Sequence, residues 1–246
     1  MNDLELALSL ADAADAITMR FFQSTFAVRT KADQTPVTEA DEAVERAIRA
    51  VLERERPDDG IVGEEFGARG DSKRRWIIDP IDATKNFMRG IPVFGTLIAL
   101  EGLVGVVSSP ALGRRWWAAR GEGAFCNGAP IRVSSIAEMN EAQFLFDDIS
   151  TFTKHHLRNQ LLALEGDCGR ARGFGDFWGH MLVAEGAAEI CVEPEVALWD
   201  MAALQVIVEE AGGRFTNLAG EPRADGRSGV STNGLLHDAV LRYFRA

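Results

Sequence analysis

Cysteine is scarce in this chain of 246 residues. The three present, Cys126, Cys168 and Cys191, are scattered and odd in number. That excludes a disulfide framework and points to a reduced, cytoplasmic setting. The four histidines (His155, His156, His180, His237) show no zinc-ligand spacing, and His180, inside an apolar stretch, reads as a core or interface residue. No apolar run approaches about 18 residues, so no membrane span is expected. The first residues, Met1 to Glu5, carry acids where a secretory signal wants bases. Positive charge is short too: 26 Lys and Arg stand against 37 Asp and Glu, a net charge of −11. A nucleic-acid surface needs basic clusters and is disfavoured. An anionic small-molecule substrate stays open, because bound cations can invert a local field. Repeats, low-complexity segments and flexible linkers are absent.

What is present is an ordinary globular composition, 46% hydrophobic and 26% charged, with enough length for a sizeable core. The expected organisation is a single domain over 1–246, with two lobes at about 1–130 and 131–246.

The chain is organised around Trp76 to Phe87, W-I-I-D-P-I-D-A-T-K-N-F. Trp76, Ile77 and Ile78 read as a buried strand that Pro80 should end. Asp79 and Asp82 then lie where a strand breaks into a turn, and Thr84 reads as the N-cap of a following helix. Carboxylates beside a helix N-terminus suit a divalent cation next to a phosphate. Asp-x-x-Asp alone is equally what a solvated turn looks like, so partners are needed. Glu64, at the end of a short strand, and Asp200, in the first turn of a helix, qualify by position.

In order, the spacing predicts a helix over Leu4 to Phe22, a possible strand from Phe26 to Thr30, and a polar turn from Lys31 to Pro36. A second helix starts at Thr38, with Asp41 completing a capping-box-like pair, and runs to about Arg56. Strands are expected at 61–63, 95–100, 103–108 and 115–119, with a polar loop at 67–73 and a type I′ turn at Asn127-Gly128. After about Ile131 come a strand at 143–146, helices near 154–164 and 176–185, a strand at 188–192, and a helix from Leu198 to Ala211 closed by Gly212-Gly213. A last helix covers 235–244. Trp116 and Trp117 read as strand and core residues.

As a set, Gly63-Glu64-Glu65, the Asp79 to Thr84 motif, Leu198-Trp199-Asp200, Lys31 to Asp41 and the Gly121 to Gly128 hairpin closely resemble the inositol monophosphatase superfamily. The resemblance covers nearly the whole chain. It implies a layered α/β fold, an αβαβα sandwich, and Mg²⁺-dependent hydrolysis of small phosphate monoesters. It implies two or three Mg²⁺ ions per site. Glu64, Asp79 and the Ile81 carbonyl would hold one, and Asp79, Asp82 and Asp200 a second, clamping the attacking and leaving oxygens. Thr84, Asp41 and Glu64 would orient the attacking water, and the backbone N–H groups of Ala83 and Thr84 would take the phosphate. A homodimer is also implied. One departure stands out: the superfamily has Gly where this chain has Ala83. A positive φ there would strain alanine by about 1 kcal/mol or more, and a catalytically weak, metabolite-binding relative would follow in the extreme case.

Thr84 to Phe94, Arg114 to Gly121 and Arg172 to Gly179 are similar to the histidinol-phosphate phosphatase branch. That branch implies substrate contacts from Asp176, Glu193 and Arg172, with carboxylates facing an ammonium and an imidazole. An inositol or other sugar phosphate is the alternative substrate. Asp176 also stands where a helix cap is expected.

Overall fold

A computed structural model of the chain describes residues 1–22, 28–30 and 36–245. Phe26 and Ala27 of the expected strand, and Lys31 to Thr35 of the expected turn, lie outside the described residues. Helix α1 spans Asp3–Phe21, and a short antiparallel pair, β1 (Val28–Thr30) and β2 (Pro36–Thr38), leads into α2 (Glu39–Glu55). Thr38 caps α2 as its motif predicts: its hydroxyl accepts from the Ala40 N–H, and Asp41 Oδ2 accepts the Thr38 N–H at 2.7 Å.

Eight strands follow: β3 (Gly60–Gly63), β4 (Gly67–Arg69), β5 (Arg75–Asp82), β6 (Gly95–Leu100), β7 (Val104–Ser109), β8 (Arg114–Ala119), β9 (Gly123–Cys126) and β10 (Ala129–Ile131), with helix α3 (Thr84–Met88) after β5. They form one sheet in the order β10-β9-β8-β7-β6-β5-β3-β4, antiparallel except for β3 beside β5. The Asn127-Gly128 turn joins β9 to β10 with positive φ at both residues, as a type I′ turn requires. The remaining chain supplies β11 (Gln143–Phe146), α4 (Ile149–Lys154), α5 (Arg158–Asp167), β12 (Arg170–Arg172), α6 (Asp176–Ala184), β13 (Ile190–Glu193), α7 (Leu198–Glu210), β14 (Arg214–Thr216), β15 (Gly229–Thr232) and α8 (His237–Phe244). Its five strands form a second sheet, β12-β11-β13-β15-β14.

The side-chain clusters define the layers. Leu6, Leu10, Val44 and Ile48 of α1 and α2 pack on Trp76, Ile78 and Ile98 of the large sheet. The other face of that sheet, Ile77, Leu97 and Val107, meets Phe177, Met181, Leu204 and Ile207 of α6 and α7. Behind the small sheet, Phe144, Ile190 and Val192 meet Phe152, Leu161 and Leu241 of α4, α5 and α8. The result is the α/β layering αβαβα. No described helix is long and apolar enough to cross a membrane.

The structure corrects several expectations. Strand β5 does not stop at Pro80. Proline's missing N–H falls where pairing with β6 shifts register between Asp79 and Asp82, and its carbonyl accepts from Thr96 Oγ1 at 2.8 Å. The helix expected at 154–164 is two helices, broken where His156 takes a φ of 60°. The loop after Gly67 contains β4, and β12, β14 and β15 have no counterpart in the sequence reading.

Candidate active site

Strand alternation places the first carboxylate. Trp76 and Ile78 face α1 and α2, so Ile77 and Asp79 face the opposite way, toward α7. Past the register shift, Asp82 Oδ2 accepts the Phe177 N–H of α6 at 2.7 Å. Asp200 enters from the first turn of α7, where its Oδ2 accepts the Ala197 N–H at 2.7 Å. Oxygens of Asp79, Asp82 and Asp200 lie within 4.8 Å of one another. The N–H of Glu64 reaches the Ile78 carbonyl of β5 at 3.2 Å, which sets Glu64 beside this group. Asp41 comes from the first turn of α2.

The site's electrostatics are those of like charges forced together. Burial, and then the charges of Glu64, Asp82 and Asp200, push the Asp79 carboxyl well above its ordinary range. Burial and then Asp176 do the same to Asp82. Asp200 is pushed up to about 7, chiefly by burial. Asp41 rises to about 6, again mainly through burial, with Glu64 adding to it. Asp79 Oδ1 and Asp41 Oδ1 are buried without a hydrogen-bond partner. Hard oxygen donors, crowded and unsatisfied, fit a divalent cation.

Thr84 is not the N-cap of α3. Ala83 holds that position in the left-handed region, φ 61° and ψ 45°, and Thr84 is the first helical residue. Its Oγ1 donates to the Ile81 carbonyl at 3.0 Å. Phe87, Phe94 and Ile81 are buried beneath this turn, with Ala83 against them.

Above lies a cavity of about 370 Å³ lined by Glu64, Ala83, Thr84, Lys85, Asn86, Asp147, Asp148, Ser150, Thr151 and Asp176. Asp176 is no cap: Gly175 is the N-cap residue of α6, and Asp176 itself has a φ of 51°. Its carboxyl is pushed up to about 7 by burial, then by Glu193 and Asp147. Glu193, at the end of β13, is buried, its Oε1 has no partner, and burial followed by the Asp147 charge pushes it up to about 8. Arg172 is set apart. It is exposed on edge strand β12, its guanidinium donates to the Ala171 carbonyl, and it does not line the cavity. His180 is fully buried, with Nδ1 2.6 Å from Ser231 Oγ, and burial lowers it to about 3. Trp116 is core, and Trp117 stacks on Phe125.

Asp147 went unseen in the sequence, and no local signal marks it. A single acid after a short strand is silent until folding brings it to Gly175, where a Cβ would fall 2.3 Å from the Asp147 Cα.

Two sheets alternating with helices, and a buried carboxylate cluster beside a polar cavity that Glu64 and Asp176 line, define a layered α/β phosphatase. The chain belongs to the inositol monophosphatase family, whose sequence model it matches over residues 2–246. Members of this family use metal ions. The chain is 51% identical to the histidinol-phosphatase of Mycobacterium tuberculosis, covering 100% of this chain and 98% of that protein. It is 48% identical to the histidinol-phosphatase of Streptomyces coelicolor, covering 99% and 97%. Among solved structures, an IMPase from Thermotoga maritima superposes with a TM-score of 0.89 at 32% identity, covering 99% of this chain and 97% of the other.

Proposed function

We propose that this chain is a Mg²⁺-dependent phosphatase that converts L-histidinol phosphate to L-histidinol, a step of histidine biosynthesis. The carrying observation is the acid in the cavity wall: Asp147, Asp148 and Asp176 line it, with Glu193 buried close to Asp176 and Asp147. An alcohol bearing an ammonium and an imidazole suits those acids, whereas a neutral polyol gains only hydroxyl acceptors. The identity to two proteins named histidinol-phosphatase supports the same reading. A cytoplasmic homodimer, built from one phosphatase domain with two lobes, completes the proposal.

The residues divide the work. Glu64, Asp79, Asp82, Asp200 and the Ile81 carbonyl would hold two or three Mg²⁺ ions. When bound, Mg²⁺ supplies charge neutralisation for the phosphate and an acidified water. The N–H groups of Ala83, at the N-cap of α3, and of Thr84, its first residue, would receive phosphate oxygens. Thr84 Oγ1, with Asp41 and Glu64, would orient the attacking water. Asp176, Glu193 and Asp147 would pair with the organic cations of the leaving alcohol. Arg172 would contribute only as an exposed charge on β12. Phosphate release from L-histidinol phosphate, abolished by EDTA and restored by Mg²⁺, tests the reading. No release under either condition refutes it.

A further inference from the structure

The turn that carries Glu64 is held from behind by a residue with no part in the chemistry above, Glu45. Helix α2 presents Asp41, Glu45 and Arg49 at intervals of four, hence along one face. Glu45 is fully buried. Its Oε2 accepts the N–H of Glu65 at 2.7 Å, and its Oε1 accepts the N–H of Phe66 at 3.1 Å. Arg49 Nε donates to the same Oε1 at 2.7 Å, and Arg49 Nη2 donates to the Gly67 carbonyl. On the upstream side, the Glu64 N–H is bonded to Ile78 of β5. Glu64 therefore sits in a peptide segment fixed at both flanks.

Gly63 belongs to the same device. A Cβ there would lie 2.0 Å from Glu45 Oε1 and 2.4 Å from its Cδ. The carboxylate occupies the space that a side chain at position 63 would need.

Replacing a whole buried ion pair by well-packed apolar residues is often neutral or stabilising, so packing alone does not call for a Glu45–Arg49 pair here. What only a carboxylate offers is two charged acceptor oxygens for the N–H groups of consecutive residues. We propose that Glu45, anchored by Arg49, is the positioning residue for Glu64, holding its backbone so that the carboxylate stands ready for a cation. This rests on Glu64 as a cation-holding residue, as set out under the proposed function.

The test is Glu45→Gln, alone and combined with Glu64→Gln. Glutamine keeps the size and one acceptor oxygen but turns an NH₂ toward a backbone donor. Mg²⁺ affinity is read from activation of turnover and, independently of turnover, from calorimetric titration of Mg²⁺ into the metal-free protein. Glu45→Gln is expected to lower Mg²⁺ affinity about 10- to 100-fold while KM for the phosphate ester stays within about twofold. The double variant should bind Mg²⁺ no worse than Glu64→Gln alone, because the first residue acts through the second. Losses that add in the double variant, or Mg²⁺ affinity unchanged in Glu45→Gln, overturn the proposal. Should Glu45→Gln fail to fold, Glu45→Asp, which keeps the charge but withdraws it by one methylene, is expected to show the same Mg²⁺ shift. A wild-type protein that binds no Mg²⁺ overturns the cation role of Glu64 and this proposal with it.

Discussion

The Asp82 carboxylate accepts the Phe177 backbone N–H at 2.7 Å, tying the end of β5 to the first turn of α6. One oxygen thus joins two elements far apart in the chain, while Asp82 also belongs to the carboxylate cluster. Asn at this position keeps an acceptor for Phe177 and removes a charge. In Asp82→Asn, turnover should fall more than about 100-fold. Melting temperature in EDTA should hold or rise, because one like charge leaves a buried group. Thermal melts and kcat on the same preparation check both; retained turnover would remove Asp82 from the site.

Asp147 lines the cavity and is one of the acids assigned to the organic cation. Asp147→Asn should cut kcat/KM for L-histidinol phosphate about tenfold, the size of one charge-assisted contact. With inositol 1-phosphate, which carries no cation, the change should stay within about twofold. Equal losses on both esters would make Asp147 a structural residue.

Ala83 has a φ of 61° at the entry to α3. Glycine adopts that conformation freely and alanine only at a cost, so Ala83→Gly should stabilise the protein by about 1 kcal/mol. It also removes a methyl from the cavity wall, and kcat/KM is expected to rise. Denaturant melts and steady-state kinetics decide. A variant less stable than wild type would mean the left-handed turn carries no strain.

His237 is buried between Thr216 and Thr232, with Nε2 2.9 Å from Thr216 Oγ1 and Nδ1 3.0 Å from Thr232 Oγ1. Burial, and then the Arg214 charge, lower it to about 4. The folded protein therefore holds it neutral where the unfolded chain, near 6.5, takes up a proton. Its stabilising contribution is complete above about pH 6.5 and is lost as pH falls toward about 4. The stability advantage of wild type over His237→Gln should shrink across that window. Paired melts at pH 7.5, 6 and 4.5 measure it; a constant difference would contradict the assignment.

Much of this fold is legible in the sequence, and the unread parts share a cause. Thr38 with Asp41 announces α2, Asn127-Gly128 announces the β9–β10 turn, and Gly212-Gly213 closes α7, because caps and turns are local chemistry. Strands β4, β12, β14 and β15 have three or four residues each and exist by pairing with distant neighbours, so no periodicity reveals them. Pro80 misleads because the irregularity that tolerates it depends on the register of β6. The carboxylate motif stands out through spacing and resemblance. Glu45 does not, since a glutamate inside a helix looks like a surface residue until residues 63–66 fold against it.

The most direct measurement is the ratio of kcat/KM for L-histidinol phosphate to that for inositol 1-phosphate, at saturating Mg²⁺. An acid-lined cavity built for a cationic alcohol predicts a ratio above about 10, from at least one charge-assisted contact that the polyol cannot make. A ratio of one or less would leave the phosphatase fold intact and contradict the assignment of Asp147, Asp176 and Glu193 to the substrate's cations.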